Sequence, residues 1–350
     1  MLFVSTENNS GPHAESSLKR DGIATVTLVM FCQGFQALSL GAISLFLPLI
    51  REDLHLSFSQ AGLLSVAATF TYALGQIPAG YLSDRFGPKR LFFIGILGSM
   101  LLSLLFGLID AFWLALVNLA VSGVFRALLF VPGLALISSW FPPQRQATAL
   151  GLYTVGGFAG NILLSLVGPI LANQFGWRVP FILFASIGIG AAFLYLAFGR
   201  EKPRKEPRQG VGMLDAFQLF KYKIMWLCGA IQFIRLGVVT GFNFWLPSLL
   251  VADRGMTLQA AGLVTAMGAG FTMFSNTLGG YVSDRLKNPP LVIGGSLAIL
   301  ACTSTLLVAV EPIPVLLVVI AINAIFMQFY FGPLFVVPIE VLGPRVAGMS

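Results

Sequence analysis

The stretch SQAGLLSVAATFTYALGQIPAGYLSDRFG, Ser59 to Gly87, has a counterpart in LQAAGLVTAMGAGFTMFSNTLGGYVSDRLK, Leu258 to Lys287. Gly80, Tyr81, Ser83, Asp84 and Arg85 recur as Gly280, Tyr281, Ser283, Asp284 and Arg285. The offset of 200 residues also joins Gly62 to Gly262, Arg145 to Arg345 and Ala147 to Ala347. An offset held at so many positions marks an internal repeat. The chain therefore reads as two related halves.

Working outward from the repeat, the flanking sequence is apolar almost throughout. Of 350 residues, 57% are hydrophobic and only 10% charged, and mean hydropathy is +0.87. Soluble domains carry about 25% charged residues, so this chain belongs in lipid. There the backbone must satisfy its own hydrogen bonds, which leaves helices or a closed barrel. A barrel would alternate apolar and polar residues over segments of about ten. This chain has apolar runs of about twenty or more, as a helix crossing about 30 Å requires. The fold class is all-α integral membrane, with ten spans expected at roughly 23–50, 60–82, 91–109, 112–141, 149–171, 178–199, 224–250, 259–282, 290–310 and 313–338. Residues 1–22 read as a disordered cytoplasmic tail, 23–199 as a six-helix half, 200–223 as a polar linker and 224–350 as a second half with four helices.

Sixteen of the 21 Lys and Arg residues fall on one side of that arrangement, among them Lys19, Arg20, Arg145, Arg200 and Lys223. Only Arg51, Arg178 and Arg254 fall on the other. Basic residues favour the cytoplasmic side, so the N-terminus is expected there, in a multi-pass protein of the bacterial plasma membrane. Topology thus explains the formal charge of +7, and no nucleic-acid partner is expected. Cys32, Cys228 and Cys302 all fall in apolar runs and read as packing residues. The only histidines are His13 and His55, both outside the spans. No metal-ligand spacing and no nucleophile constellation is visible. The chain is expected to be no enzyme and to need no cofactor.

The offset also predicts a gap. The first half continues for two spans beyond Arg145, whereas the sequence stops five residues after Arg345. Two helices, about 50 residues, are expected to be missing by the symmetry of such repeats.

GYLSDRFGPKR, Gly80 to Arg90, resembles the signature loop of the major facilitator superfamily, G-x-x-x-D-[RK]-x-G-[RK]-[RK]. The resemblance covers the chain: the motif after span two, a weaker copy after span eight and a basic linker between halves. The second copy departs from the pattern, reading Leu286-Lys287-Asn288 where the first has the glycine and the basic pair. The resemblance implies two six-helix pseudo-repeats and a secondary transporter, working as a monomer by alternating access. It also implies a gating role for Gly80, Asp84, Arg85, Gly87, Lys89 and Arg90, and for Gly280, Asp284 and Arg285. Gly80 would let a neighbouring helix approach closely. Asp84 would face the start of helix eleven, and Asp284 the start of helix five near Thr148 to Gly151. The glycine-rich antiporter signature of helix five is not reproduced, although Gly156, Gly157 and Gly160 would permit tight packing there.

Arg126 and Arg235 sit near the centres of spans four and seven. A charge at that depth costs several kcal/mol and faces a partner, a watery cavity or a ligand. None of the 14 carboxylates reads as lying at the bilayer midplane. The sequence therefore expects the solute to supply the negative charge. Arginine suits this role, being always charged and able to fork onto a carboxylate. By the resemblance, helices one, four, seven and ten line the central cavity. Gln33, Gln36, Gln232, Asn323 and Gln328 lie on that set, and with the arginines they make up the expected substrate site. Arginines in helices four and seven are similar to those of the organic-anion branch, which includes sugar-acid transporters. The expected substrate is a small anionic solute, a carboxylate or sugar acid. Efflux of drugs or amphiphilic metabolites, or transport of an inorganic anion such as nitrate, is the alternative. Proton symport, exchange and uniport all stay open, because the carboxylates of proton-coupled relatives are uncharged here.

Overall fold

The structure, a computed structural model, describes residues 12–141, 146–201, 221–331 and 333–334. The chain divides into two compact units, residues 1–203 and 204–350. In the first, α1 (Pro12–Leu45) and the short α2 (Leu47–Asp53) are followed by α3 (Phe58–Phe86), α4 (Pro88–Phe106), α5 (Phe112–Ser139), α6 (Gln146–Phe175) and α7 (Arg178–Phe198). In the second, α8 (Lys223–Ser248) runs into a π-turn at Leu249–Asp253, followed by α9 (Leu258–Leu286), α10 (Pro289–Ala309) and α11 (Ile313–Phe329).

Among the described residues ten long helices therefore stand where ten spans were expected, and seven are long and apolar enough to cross a membrane by length and composition alone. The repeated pair, α3 and α9, is not among the seven, because Ser, Thr, Gln and Gly interrupt the apolar run and each helix carries Asp-Arg just before its last residue. The first helix corrects the expected tail. It begins at Pro12, where the ring's fixed φ suits a first helical position, and continues through SSLKRDG without a break. Residues 1–11 of that tail and residues 202–220 of the expected linker lie outside the described residues.

The repeat extends to the ends of its helices. Ser57 caps α3, accepting from the Gln60 amide at 3.2 Å while the Gln60 side chain accepts from the Ser57 amide at 2.9 Å. Thr257, 200 residues on, caps α9 by accepting from the Ala260 amide at 3.2 Å. Each such cap stabilises a helix start by about 1 kcal/mol.

In the first unit, α1 packs against α6 and α7, α3 against α5, and α4 against α5 and α7. The α1–α6 crossing is close because glycines face it. A Cβ at Gly156 would stand 2.5 Å from the Met30 carbonyl oxygen, and one at Gly160 would clash with the Gly34 backbone. Gly157 has ordinary room, its nearest neighbour being Gln33 at 3.8 Å. At one end of this unit Arg178 pairs with Asp53 at 2.5 Å. The same Arg178 donates to the carbonyl of Ile109 at 3.3 Å, joining α7 to the α4–α5 turn. In the second unit α11 packs against α9 and α10. Cys32 is buried, Cys228 half-buried and Cys302 exposed, and all three are free thiols.

Candidate functional site

Arg126 lies near the middle of α5, one turn from Ser122 and two from Asn118, on one helix face. Its guanidinium carbon stands 5.1 Å from the centre of the Tyr72 ring on α3, where the ring's negative face attracts it. Its Nε is buried without a hydrogen-bond partner. Among the described residues Arg126 makes no hydrogen bond and no ion pair. It borders a crevice inside the first unit that encloses about 390 Å³ of unfilled space, counting the part open to the surroundings. Gln36, Ser39, Ser99, Ser103, Asn118 and Ser122 supply the other polar groups of its wall.

Arg235, in the second unit, is better held. It is 6% exposed. Nη1 donates to the Gln232 side-chain oxygen at 3.5 Å, and Nη2 donates to the Gln328 side-chain oxygen across from α11. Its guanidinium carbon lies 4.5 Å from the centre of the Phe331 ring and 5.9 Å from that of Tyr330. A guanidinium has five N–H donors. Among the described residues two are occupied here, and Nε is buried with no partner. Among the described residues no carboxylate reaches Arg235 either.

The expected substrate-site residues thus fall into separate groups. Gln232 and Gln328 meet on Arg235. Gln36 shares the crevice of Arg126. Gln33 does not line it; its side-chain oxygen accepts the Tyr153 hydroxyl at 2.9 Å. Asn323 is drawn away from Arg235. It is fully buried, and its amide donates to Thr303 Oγ1 at 2.9 Å and Ser304 Oγ at 3.3 Å, tying α11 to α10. An amide in an apolar helix interface is held by a polar group across that interface. Sequence reasoning missed Tyr72, Tyr330 and Phe331, the rings around the two arginines. Aromatic residues are too frequent in this chain for their positions to signal a cation contact.

Of the expected gating residues, Gly80 and Gly280 face open space among the described residues. A Cβ at Gly80 or Gly280 would meet nothing within 4 Å, so neither glycine serves a close approach among the described residues. The close approaches lie on nearby residues: Gly75, whose Cβ would stand 2.6 Å from that of Ala127 on α5, and Gly279, which lies against the Phe329 backbone on α11. Arg85, Arg90 and Arg285 are exposed and Lys89 is half-buried. The side chains of Asp84 and Asp284 lie outside the described residues.

Gly87 ends α3 at φ +85° and ψ +140°, a region that only glycine enters at low cost. Its counterpart Lys287 ends α9 at φ +49° and ψ +33°, the left-handed helical region that a side chain tolerates at about 1–2 kcal/mol. The turn after α9 dispenses with glycine because it folds differently. Asn288 then caps α10 by accepting from the Leu291 amide at 3.2 Å.

Comparison with known proteins agrees with this architecture. The profile of the Major Facilitator Superfamily matches residues 29–350. The chain is 27% identical over 336 residues to a probable sulfoacetate transporter, SauU, of Cupriavidus necator, covering 88% of this chain and 77% of that one. It is 27% identical over 270 residues to the hexuronate transporter of Bacillus subtilis, covering 74% of this chain. Only 64% of the hexuronate transporter is spanned, just under two thirds of its length. A crystal structure of a bacterial homologue of the human lysosomal transporter Spinster, inward-facing and unoccupied, shares the fold with a TM-score of 0.78. That match has 22% identity and covers 97% of this chain and 78% of that one.

Proposed function

The chain belongs to the Major Facilitator Superfamily, and on that footing we propose that it moves a small organic anion, a carboxylate or sugar acid, across the membrane by alternating access. It is a multi-pass membrane protein. The observation that carries the proposal is a pair of cations without anions. Arg126 and Arg235 stand deep in apolar helices, and among the described residues neither meets a carboxylate. A buried cation that lacks an anion is costly, and a solute carboxylate offsets that cost with charge-assisted, two-pronged hydrogen bonds. Gln36 beside Arg126, and Gln232 and Gln328 beside Arg235, supply neutral groups of the kind that would order a polar solute. The sulfoacetate and hexuronate relatives both have names that specify organic anions, which supports the same class. The same reading has the protein working as a monomer in the bacterial plasma membrane with its N-terminus cytoplasmic.

The test is a thermal-shift panel on the purified protein in detergent. D-glucuronate, D-galactonate, sulfoacetate and nitrate would be run beside neutral and cationic compounds, on wild type and on Arg126→Ala and Arg235→Ala. A specific ligand raises the melting point by mass action. Stabilisation by an organic anion, lost in both variants, is the expected result. Stabilisation by nitrate alone, or by an organic anion equally in all three proteins, refutes the assignment.

A further inference from the structure

The crevice beside Arg126 is built into the first unit itself, between α1, α3, α4, α5 and α7. It follows the α5 face from Arg126 past Ser122 to Asn118, a run of eight residues or about 12 Å. Three buried polar atoms without partners among the described residues border it: Nε of Arg126, Oγ of Ser103 and Oδ1 of Asn118. Ser103 and Asn118 are each 8% exposed. The Asn118 amide already donates to the Leu102 carbonyl at 3.0 Å, which fixes the side chain and leaves Oδ1 as a free acceptor. Buried polar groups without partners are rare and call for a ligand.

The chemistry of the wall decides which. The free atoms form a set with a donor on Arg126, an acceptor on Asn118 and a hydroxyl on Ser103 that does either. An anion seated at Arg126 would be repelled by the Asn118 oxygen two turns along the same face, so the Asn118 end is no part of the anion's seat. A cation would suit Asn118 and be repelled by Arg126. Water donates and accepts, so it suits either end, and the part of the crevice wide enough for water, about 20 Å³, holds roughly one or two molecules.

We infer that Ser103 and Asn118 hold water that hydrates Arg126 from within the bundle, and that this hydration lets the carrier reorient without substrate. The inference rests on the reading of Arg126 as an anion-binding residue. When the anion leaves, the guanidinium loses its counter-charge. A carrier whose arginine could be solvated only through the substrate cavity would then be barred from closing, because closing would strip a bare cation of water. Such a carrier exchanges one anion for another and gives no net flux. An internal water site removes that bar, so this protein is assigned net transport in addition to exchange. Ser103 and Asn118 are positioning residues that act through water and touch no substrate.

Two measurements on the full chain test this. Radiolytic hydroxyl-radical footprinting oxidises a methionine that has bound water beside it. Met100 is fully buried yet lines the crevice, whereas Met327, 3% exposed, is packed in the apolar cluster with Ile293 and Leu300. Met100 is expected to be oxidised severalfold faster than Met327, and Ser103→Val, which puts methyl groups where the hydroxyl was, is expected to abolish the difference. In proteoliposomes, with radiolabelled D-glucuronate, D-galactonate and sulfoacetate as probes, Ser103→Val should slow net uptake roughly tenfold, as expected for one lost hydrogen bond to a charged group. Counterflow exchange should be unchanged. Ser103→Ala serves the same comparison if the valine variant does not insert. Equal oxidation of the two methionines in wild type overturns the hydration site. Net uptake and exchange that fall together, or that both stay at wild-type rates, overturn its role. No flux of any probe in either mode overturns the transport reading and the flux argument with it, while the footprint still decides whether the crevice is wet.

Discussion

Replacing Arg235 by lysine keeps the charge and removes the fork, which makes it a sharp test of how the second unit would recognise an anion. The guanidinium reaches Gln232 through one terminal nitrogen and Gln328 through the other, and among the described residues its remaining donors, Nε among them, have no partner. A carboxylate could therefore take two parallel bonds from donors that the glutamines leave free. A lysine ammonium has one nitrogen, which cannot satisfy both glutamines and also present two parallel bonds to a ligand. One charge-assisted hydrogen bond is lost, worth about 1.5–3 kcal/mol, so affinity should fall roughly 10- to 150-fold. The guanidinium also leaves the Phe331 ring, 4.5 Å from its centre, a contact worth about 0.5–2 kcal/mol. The assay is titration calorimetry on the detergent-solubilised protein with whichever panel anion stabilises wild type, beside a melting curve without ligand. Binding by Arg235→Lys within threefold of wild type would refute the argument, because charge alone would then suffice.

Two further predictions concern the scaffold. Gly87→Ala should cost about 1–3 kcal/mol through backbone strain alone, since the new methyl would meet nothing closer than Glu201 Oε2 at 3.4 Å. Lys287→Ala should be close to neutral at the matching turn, so equal melting points for the two variants would show that the turns do not differ as described. The Asp53–Arg178 pair is partly exposed, at 42% and 35% of its side chains. Asp53→Asn should therefore lower stability by under about 1 kcal/mol at low salt, and by less in 1 M salt, where the screening length is about 3 Å. A loss that persists in 1 M salt would mean that the pair is not acting as a surface ion pair.

Much of the fold was legible because the bilayer simplifies the reading. Long apolar runs can only be helices there, and the recurrence of Gly80–Arg85 at Gly280–Arg285 gave the halves their register. The first helix was misplaced at its start, since Pro12–Gly22 is polar and hydropathy does not report helix propensity. The two arginines stood out because a charge in an apolar run is rare. Their neighbours were harder. Gln328 and Asn323 lie five residues apart on one helix and looked equivalent, yet one reaches Arg235 and the other is held by Thr303. Helical rotation decides that, and a half-turn difference is invisible when both faces of a helix are apolar. The crevice escaped notice for a related reason. Asn118, Ser99 and Ser103 are isolated polar residues in the sequence, and only the packing of α4 against α5 brings them together.

The 200-residue offset, which joins the hydroxyl caps of α3 and α9, carries a historical consequence. Counting 200 residues on from Arg126 lands on Phe326, and counting 200 back from Arg235 lands on Phe35. No basic residue stands within a turn of either position. The scaffold is a duplicate, but its charges are not: each arginine arose, or was kept, in one copy only and on a different helix. An ancestor reconstructed by doubling either half would carry a matched pair of cations in place of an unmatched one. Divergence after duplication therefore reached the charges and left the helix caps in place.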